Sequence, residues 1–197
     1  MSIERPLSKM LRKIVLAGVF LIALIAIGLY VINPSNTASA DPRARIFGFV
    51  VYRIPASSMA PTLQLNDYIF ASTFAYRDSG PMFGDVISFR YPRQANQIYI
   101  KRVIGLPGDT IKIVDMRVWR NGELIKEPYA QYLSAIRSRR GGVWKVPDGQ
   151  YLVLGDNRDN SADSRSWGFV PRNHVIAKVS YVWRSEHDNT GPVKHGE

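Results

Sequence analysis

Thr110-Ile111-Lys112-Ile113-Val114-Asp115-Met116-Arg117-Val118-Trp119-Arg120-Asn121-Gly122-Glu123-Leu124-Ile125-Lys126 decides the fold class. Apolar residues recur at every second position on either side of Asn121-Gly122, the period of a strand with one buried face. Asn-Gly between two such runs is a strong hairpin signal, because both positions of the favoured two-residue turn need φ > 0. This reading places strands at 110–114, 117–120 and 124–126. Working outward, short β-branched and aromatic runs occupy 46–54, 68–75, 85–91 and 98–104, and then 150–154 and 175–184. No stretch after Ile32 sustains a helical period. The expectation is an antiparallel all-β domain over 46–197, with about 110–150 as a small cap-like insertion. Residues 132–142, with three arginines and two glycines, are expected to be a mobile excursion.

Ahead of this domain, residues 14–32 are nineteen in a row without a charge or a proline. As a helix they span roughly 28 Å, close to the hydrocarbon thickness of a bilayer. Arg5, Lys9, Arg12 and Lys13 precede the run, against Glu4 alone. That asymmetry predicts a cytoplasmic segment at 1–13, one transmembrane anchor at 14–32, and a remainder on the exported, periplasmic side of the inner (plasma) membrane. Residues 33–45, rich in Pro, Ser, Asn and Ala, read as a linker. Ala38-Ser39-Ala40 resembles the cleavage site of a removed signal peptide, but the apolar run exceeds the about 7–15 residues of such segments, so a retained anchor is favoured.

The 197 residues, 46% of them hydrophobic, suit one domain with a short appendage. Absence of cysteine excludes disulfide scaffolds, thiol proteases and thiolate metal sites. The net charge of +10 is dispersed and gathers on no single element. Attraction to anionic membrane phospholipid explains it more economically than nucleic acid, and no nucleic-acid partner is expected.

Chemistry concentrates in three places. Ser58 stands in Pro55-Ala56-Ser57-Ser58-Met59-Ala60-Pro61-Thr62-Leu63 and Lys101 in Tyr99-Ile100-Lys101-Arg102-Val103-Ile104-Gly105-Leu106-Pro107-Gly108-Asp109. A serine is a poor nucleophile until a base takes its proton, and a lysine is a base only when neutral. The Tyr, Ile and Val around Lys101 could supply the burial that neutralises it. Alone, either residue has an ordinary reading, Ser58 as a turn residue and Lys101 as a solvated strand cation. The third segment, Gly155-Asp156-Asn157-Arg158-Asp159-Asn160-Ser161-Ala162-Asp163-Ser164-Arg165, packs seven charged or amide residues and two hydroxyls into eleven positions. Such density calls for a closed hydrogen-bonded network or for solvent. A calcium loop fails, because Arg158 falls on the second ligand position and no helices flank the segment.

At these three segments, and in its anchor, the chain resembles bacterial type I signal peptidase, the membrane-bound Ser-Lys protease that removes signal peptides from exported proteins. The resemblance implies Ser58 as nucleophile and Lys101 as general base, with no metal and no cofactor. It implies that Ser161 helps orient the lysine amine, that Asp163 and Arg165 form a supporting ion pair, and that Arg102 is structural. Tyr52, Ile54, Pro55, Met59, Leu63, Tyr99 and Ile100 fall where the family lines shallow apolar pockets that accept small residues at −1 and −3, as in Ala-x-Ala. The expected partners are therefore signal peptides of secretory preproteins and membrane phospholipid. One departure is Ala56, where the family often carries a hydroxyl that assists the oxyanion hole. The Ala38-Ser39-Ala40 triplet then also predicts slow self-cleavage after Ala40. The alternatives are a conjugation-type pilin-processing peptidase with the same dyad and an inactive membrane scaffold. A Ser-His-Asp hydrolase is disfavoured, because the histidines are His174, His187 and His195 and no Gly-x-Ser-x-Gly elbow exists.

Overall fold

The computed structural model describes residues 6–132 and 141–196, so Arg137, Arg139 and Arg140 of the predicted excursion lie outside the described residues. It begins with one apolar helix, α1 (Pro6–Ile32). Of this helix Lys9–Ile32, with a mean hydropathy of 2.9, is long and apolar enough to cross a membrane. The helix starts ahead of the predicted span because Leu, Lys, Met and Arg are good helix formers.

The linker is docked rather than loose. Thr37 Oγ1 donates to the Ile176 carbonyl at 2.8 Å. Ser35 Oγ and Thr73 Oγ1 both donate to the Ala44 carbonyl, at 3.1 and 2.8 Å. Arg45 Nε reaches the Ser39 carbonyl at 2.7 Å and its guanidinium lies over the Tyr30 ring, which ties the last turns of α1 to the segment. Ser35, Thr37 and Ser39 are buried, and these bonds satisfy their polar groups. The predicted strand at 46–54 is shorter than expected, since Arg43–Phe47 forms a single π-helical turn. Gly48 ends that turn at φ 78°, where a Cβ would stand 1.9 Å from the Phe74 ring. Only glycine fits there.

Twelve strands follow: β1 (Phe49–Arg53), β2 (Tyr68–Ser72), β3 (Val86–Tyr91), β4 (Gln94–Gly105), β5 (Thr110–Val114), β6 (Arg117–Arg120), β7 (Glu123–Leu124), β8 (Gly142–Lys145), β9 (Gln150–Leu154), β10 (Val170–Pro171), β11 (Val175–Arg184) and β12 (Gly191–Pro192). Among the described residues one short α-helix, α2 (Ser164–Trp167), and two 3-10 turns, Phe74–Tyr76 and Arg172–His174, intervene. Two antiparallel sheets result. The larger runs β1-β2-β11-β3-β4-β9-β10, with β12 added to β11, and the smaller runs β7-β6-β5-β8. Asn121 and Gly122 take φ 54° and 90°, as the hairpin requires. Asp115 and Met116, at φ 48° and 63°, make a second turn of the same kind without glycine.

Burial follows position in the sheet. β2 and β5 alternate between buried and more exposed residues. β3, β9 and the last residues of β4 are buried on both faces. One core cluster gathers Val50, Ile54, Met59, Leu63, Ile69 and Val193. A second lies around Phe89, Val103 and Trp167. A third, with Ile104, Ile111, Val118 and Leu154, welds the small sheet to β4 and β9. The architecture is the expected antiparallel all-β domain behind one apolar helix.

Candidate active site

Ser58 lies on the loop between β1 and β2. Two apolar neighbours fix that loop: Met59 is 2% and Leu63 0% exposed, and burying a side chain of this kind contributes about 1.5–3 kcal/mol. The turn between them closes through Leu63 N–H to the Met59 carbonyl at 2.9 Å. Lys101 comes from β4, opposite Ile87 on β3. It is 4% exposed, and its Nζ donates to Ser58 Oγ at 2.6 Å and to the Ile100 carbonyl at 2.9 Å. Among the described residues no ion pair reaches this amine. Burial is the largest influence on it and lowers its pKa from 10.5 to about 8. The negative charges of Asp163 and Asp156 pull the other way without reversing the shift. A group so placed holds a substantial neutral fraction near neutral pH.

The polar segment after β9 braces both residues from behind. Asn157 N–H donates to the Ser58 carbonyl at 3.2 Å, Asn157 Nδ2 to the Ser57 carbonyl at 3.1 Å, and Asn160 Nδ2 to Ser57 Oγ at 3.1 Å. Gly155 makes this approach possible. A Cβ there would stand 2.5 Å from the Ser58 carbonyl oxygen and 2.2 Å from Ser161 Oγ. Ser161 Oγ is buried without a hydrogen bond of good geometry, although its hydroxyl leans on the Asp163 carboxylate. Burial alone would raise the Asp163 carboxyl, but Arg165, the Gly155 N–H and Ser161 together hold it below its ordinary value. Arg165 grips that carboxylate through Nε and Nη2, both at 2.8 Å. Arg102, fully buried, forks onto Asp156 at 2.9 and 2.7 Å. Arg158 forks onto Glu127 at 2.8 and 2.7 Å, which ties the segment to the chain just after β7. The polar density read in the sequence is thus anchored by a buried network of ion pairs through Asp156, Arg158 and Asp163, while Asn160 stays exposed.

A groove of about 350 Å³ opens beside Ser58 and Lys101. Ile54, Pro55, Met59, Tyr99 and Ile100 line it as expected from the sequence, joined by Ala56, Ile98, Asn160 and Ala162. Leu63 and Tyr52 do not reach its wall. Leu63 sits within the core and Tyr52 packs against that core half-buried. Of the unforeseen residues, Asn160 and Ala162 lay inside the quoted polar motif, whereas Glu127 carried no sequence signal.

The family described as signal peptidase, peptidase S26, matches residues 11–184. The chain belongs to the signal peptidase family. It is 44% identical over 132 residues to the probable signal peptidase I-2 of Synechocystis sp. (strain ATCC 27184 / PCC 6803 / Kazusa), covering 64% of this chain and 59% of that protein. It is 36% identical over 182 residues to signal peptidase I of Pseudomonas fluorescens, covering 68% and 64%. With signal peptidase I of Rickettsia felis (strain ATCC VR-1525 / URRWXCal2) the identity is 34% over 195 residues, covering 72% and 73%. The chain thus spans 59% and 64% of the length of the first two relatives. A crystal structure of a signal peptidase I from Enterococcus faecalis V583 aligns with 50% of this chain and 95% of its own, at 34% identity and a TM-score of 0.46. Lys101, Ser58 and the bracing segment all fall inside the family match.

Proposed function

We propose that the chain is a membrane-anchored serine endopeptidase that removes signal peptides from exported preproteins, cutting after Ala-x-Ala. The observation that carries this reading is the 2.6 Å contact between Ser58 Oγ and a buried Lys101 amine lowered to about 8. In the neutral form, Lys101 accepts the Ser58 proton as Oγ attacks the scissile carbonyl. It then returns that proton to the leaving amine, and water hydrolyses the acyl-enzyme by the same route. We assign the Ser58 backbone N–H as the oxyanion donor. Ala56 adds none, and Ser57 Oγ, which accepts from Asn160, keeps its own O–H to donate. Asp163, Arg165 and Arg102 brace the two reacting groups, whereas Ser161, expected to orient the lysine amine, makes no hydrogen bond to Lys101, whose Nζ donates to Ser58 Oγ and the Ile100 carbonyl.

The groove lies between two strand edges with unused backbone groups. β1 pairs only with β2, and β9 pairs with β4 only from Arg102 onward, which leaves residues 98–101 open on that side. An extended precursor fits between them as an added strand. Shallow walls of Ile54, Met59 and Ile100 exclude large side chains at −1 and −3.

Arg5, Lys9, Arg12 and Lys13, ahead of the uncharged run 14–32, support a cytoplasmic segment 1–13 and a catalytic domain on the exported face of the inner membrane. Phe47, beside the stacked Phe49–Phe70 pair, and Phe74, whose ring covers Gly48, are 65% and 43% exposed and suit contact with membrane phospholipid.

The test is cleavage of a generic secretory precursor by the full chain in detergent. Wild type is expected to cut after the Ala-x-Ala site and Ser58→Ala to leave the precursor whole. An uncut precursor with wild type, or equal cutting by Ser58→Ala, overturns the reading. Cleavage of a pilin precursor with none of the general one would favour the dedicated peptidase.

A further inference from the structure

The match to the family ends at residue 184, yet the chain beyond it returns to the site. Asn189 Nδ2 donates to the Thr62 carbonyl at 3.1 Å and to Asp67 Oδ2 at 3.0 Å, spanning the far side of the Ser58 loop. β12 then pairs with β11, and Val193, 6% exposed, enters the core cluster that holds Met59 and Leu63. The Lys194 carbonyl accepts from Arg102 Nη1 at 2.9 Å. Gly196 N–H donates to the Gly84 carbonyl at 3.2 Å, and a Cβ on Gly84 would stand 2.5 Å from Gly196. The segment is packed against the site scaffold along its length.

Arg102 is where this matters. Its guanidinium is fully buried and has five N–H donors to satisfy. Nε and Nη2 hold Asp156, Nη2 also reaches Thr62 Oγ1 at 3.3 Å, and Nη1 is divided between the carbonyls of Gly84 and Lys194. Asp156 in turn accepts from Thr62 Oγ1 at 2.5 Å. Residues 189–196 therefore touch both halves of the site: Thr62, four residues beyond Ser58, and Arg102, one residue beyond Lys101. Removing them would leave a buried donor without its acceptor and free the loop from Asn189.

We propose that residues 189–196 are a strap that sets the Ser58–Lys101 geometry, with Asn189 and the Lys194 carbonyl as its positioning groups. The proposal rests on the reading of Ser58 and Lys101 as the reacting pair. Neither strap group touches substrate, so the signature is a loss of kcat with KM retained.

Two variants test it in the same detergent as wild type, Asn189→Ala and a chain ending at residue 188. Two quantities are read: kcat per covalently titrated Ser58, and the titration of the Lys101 amine by NMR with labelled lysine. Asn189→Ala is expected to lower kcat about 10-fold, less than the 10²-fold that a 1 Å misplacement can cost, with KM within about twofold. The shortened chain should lose more, and a synthetic peptide of residues 187–197 added in trans should restore turnover. In both variants the Lys101 titration should move upward, toward that of a solvated lysine. Wild-type kcat per active site together with an unmoved Lys101 titration in Asn189→Ala would overturn the strap, whether or not the shortened chain folds. The NMR titration needs no substrate. A wild type that cuts no precursor would therefore defeat the proposed function, while the strap would still be judged by Lys101.

Discussion

The two sheets of this protein are built on opposite terms. In the small sheet β5, β6 and β7 are neighbours both in space and in sequence, joined by two tight turns, and β8 alone returns from farther along the chain to pair with β5. Its register is set by those turns and by alternation. In the large sheet β2 lies against β11, pairing Ala71 with Val179, and β4 lies against β9, pairing Arg102 with Leu154. Register there is set by what must be buried. The proposed chemistry sits wholly on the second kind of structure. Lys101, Arg102, Asp156 and Asp163 are buried polar groups that cost stability unless every partner is in place. The small sheet carries no such group at the groove. Local patterning makes a scaffold, and distant pairing makes a site.

The largest effect that would sharpen this contrast is at Lys101. Lys101→Arg should lose at least about 10³-fold in kcat, because a guanidinium does not deprotonate, and wild-type activity should rise with pH through about 8. Lys101→Met should be as inactive but more stable. The native amine titrates near 8 and the unfolded one near 10.5. Below pH 8 both states are protonated and the folded state bears the full cost of a buried charge, about 3 kcal/mol. Between pH 8 and 10.5 the native state sheds its proton first, so wild-type stability rises with pH and the advantage of Lys101→Met fades. Urea unfolding at pH 6.5 and pH 10 reads both ends. Equal stability of the two proteins at pH 6.5 would contradict a buried ammonium.

Arg102→Ala comes next, with an expected loss of about 3–5 kcal/mol, because Asp156 would be left buried and unpaired. Denaturant midpoints measure it. Gly155→Ala should leave the strands paired but drive the Ser58 loop off Ser161, lowering kcat about 10²-fold. Unchanged kcat in that variant would mean that the 2.2 Å approach to Ser161 Oγ is easily relieved. Gly122→Ala in the small sheet should cost about 1 kcal/mol through its positive φ and leave kcat as it was. A fall in kcat there would break the contrast between the sheets. The smallest effect belongs to Phe47→Ser with Phe74→Ser, which should reduce stimulation by lipid vesicles a few-fold and leave cleavage of a short soluble peptide unaltered.

Strands 110–114, 117–120, 150–154 and 175–184 were legible to the residue because each has its own alternation or unbroken apolar run and its own stop. Gln94 to Gln97, the polar start of β4, was not, since only Gln94 pairs with β3, opposite Tyr91, and the next three residues bulge out of the ladder with no face buried. The turn at Arg43–Phe47 depends on the Phe74 ring against Gly48, a contact that no local pattern announces. At the site, the three motifs named the groups that meet, but Ile98 stood outside them and nothing in the third marked Ala162 as a groove residue. Asn189 was invisible for a different reason. It reads as one amide in a polar tail, and its partner Thr62 is 127 residues away.

The docked linker gives the enzyme a caliper. A free tether of residues 33–45 would let the groove sweep a wide range of heights above the last turn of α1. With Thr37 held to Ile176, Ala44 to Ser35 and Thr73, and Arg45 to Ser39 and Tyr30, one jaw is fixed to the end of the anchor and the other to the catalytic sheet. On the proposed function, a precursor whose own apolar helix lay in a bilayer beside α1 would present only the bond that hangs at the gauged drop. Small residues at that bond would let it be cut, and the gap between the jaws would pick which Ala-x-Ala is reached.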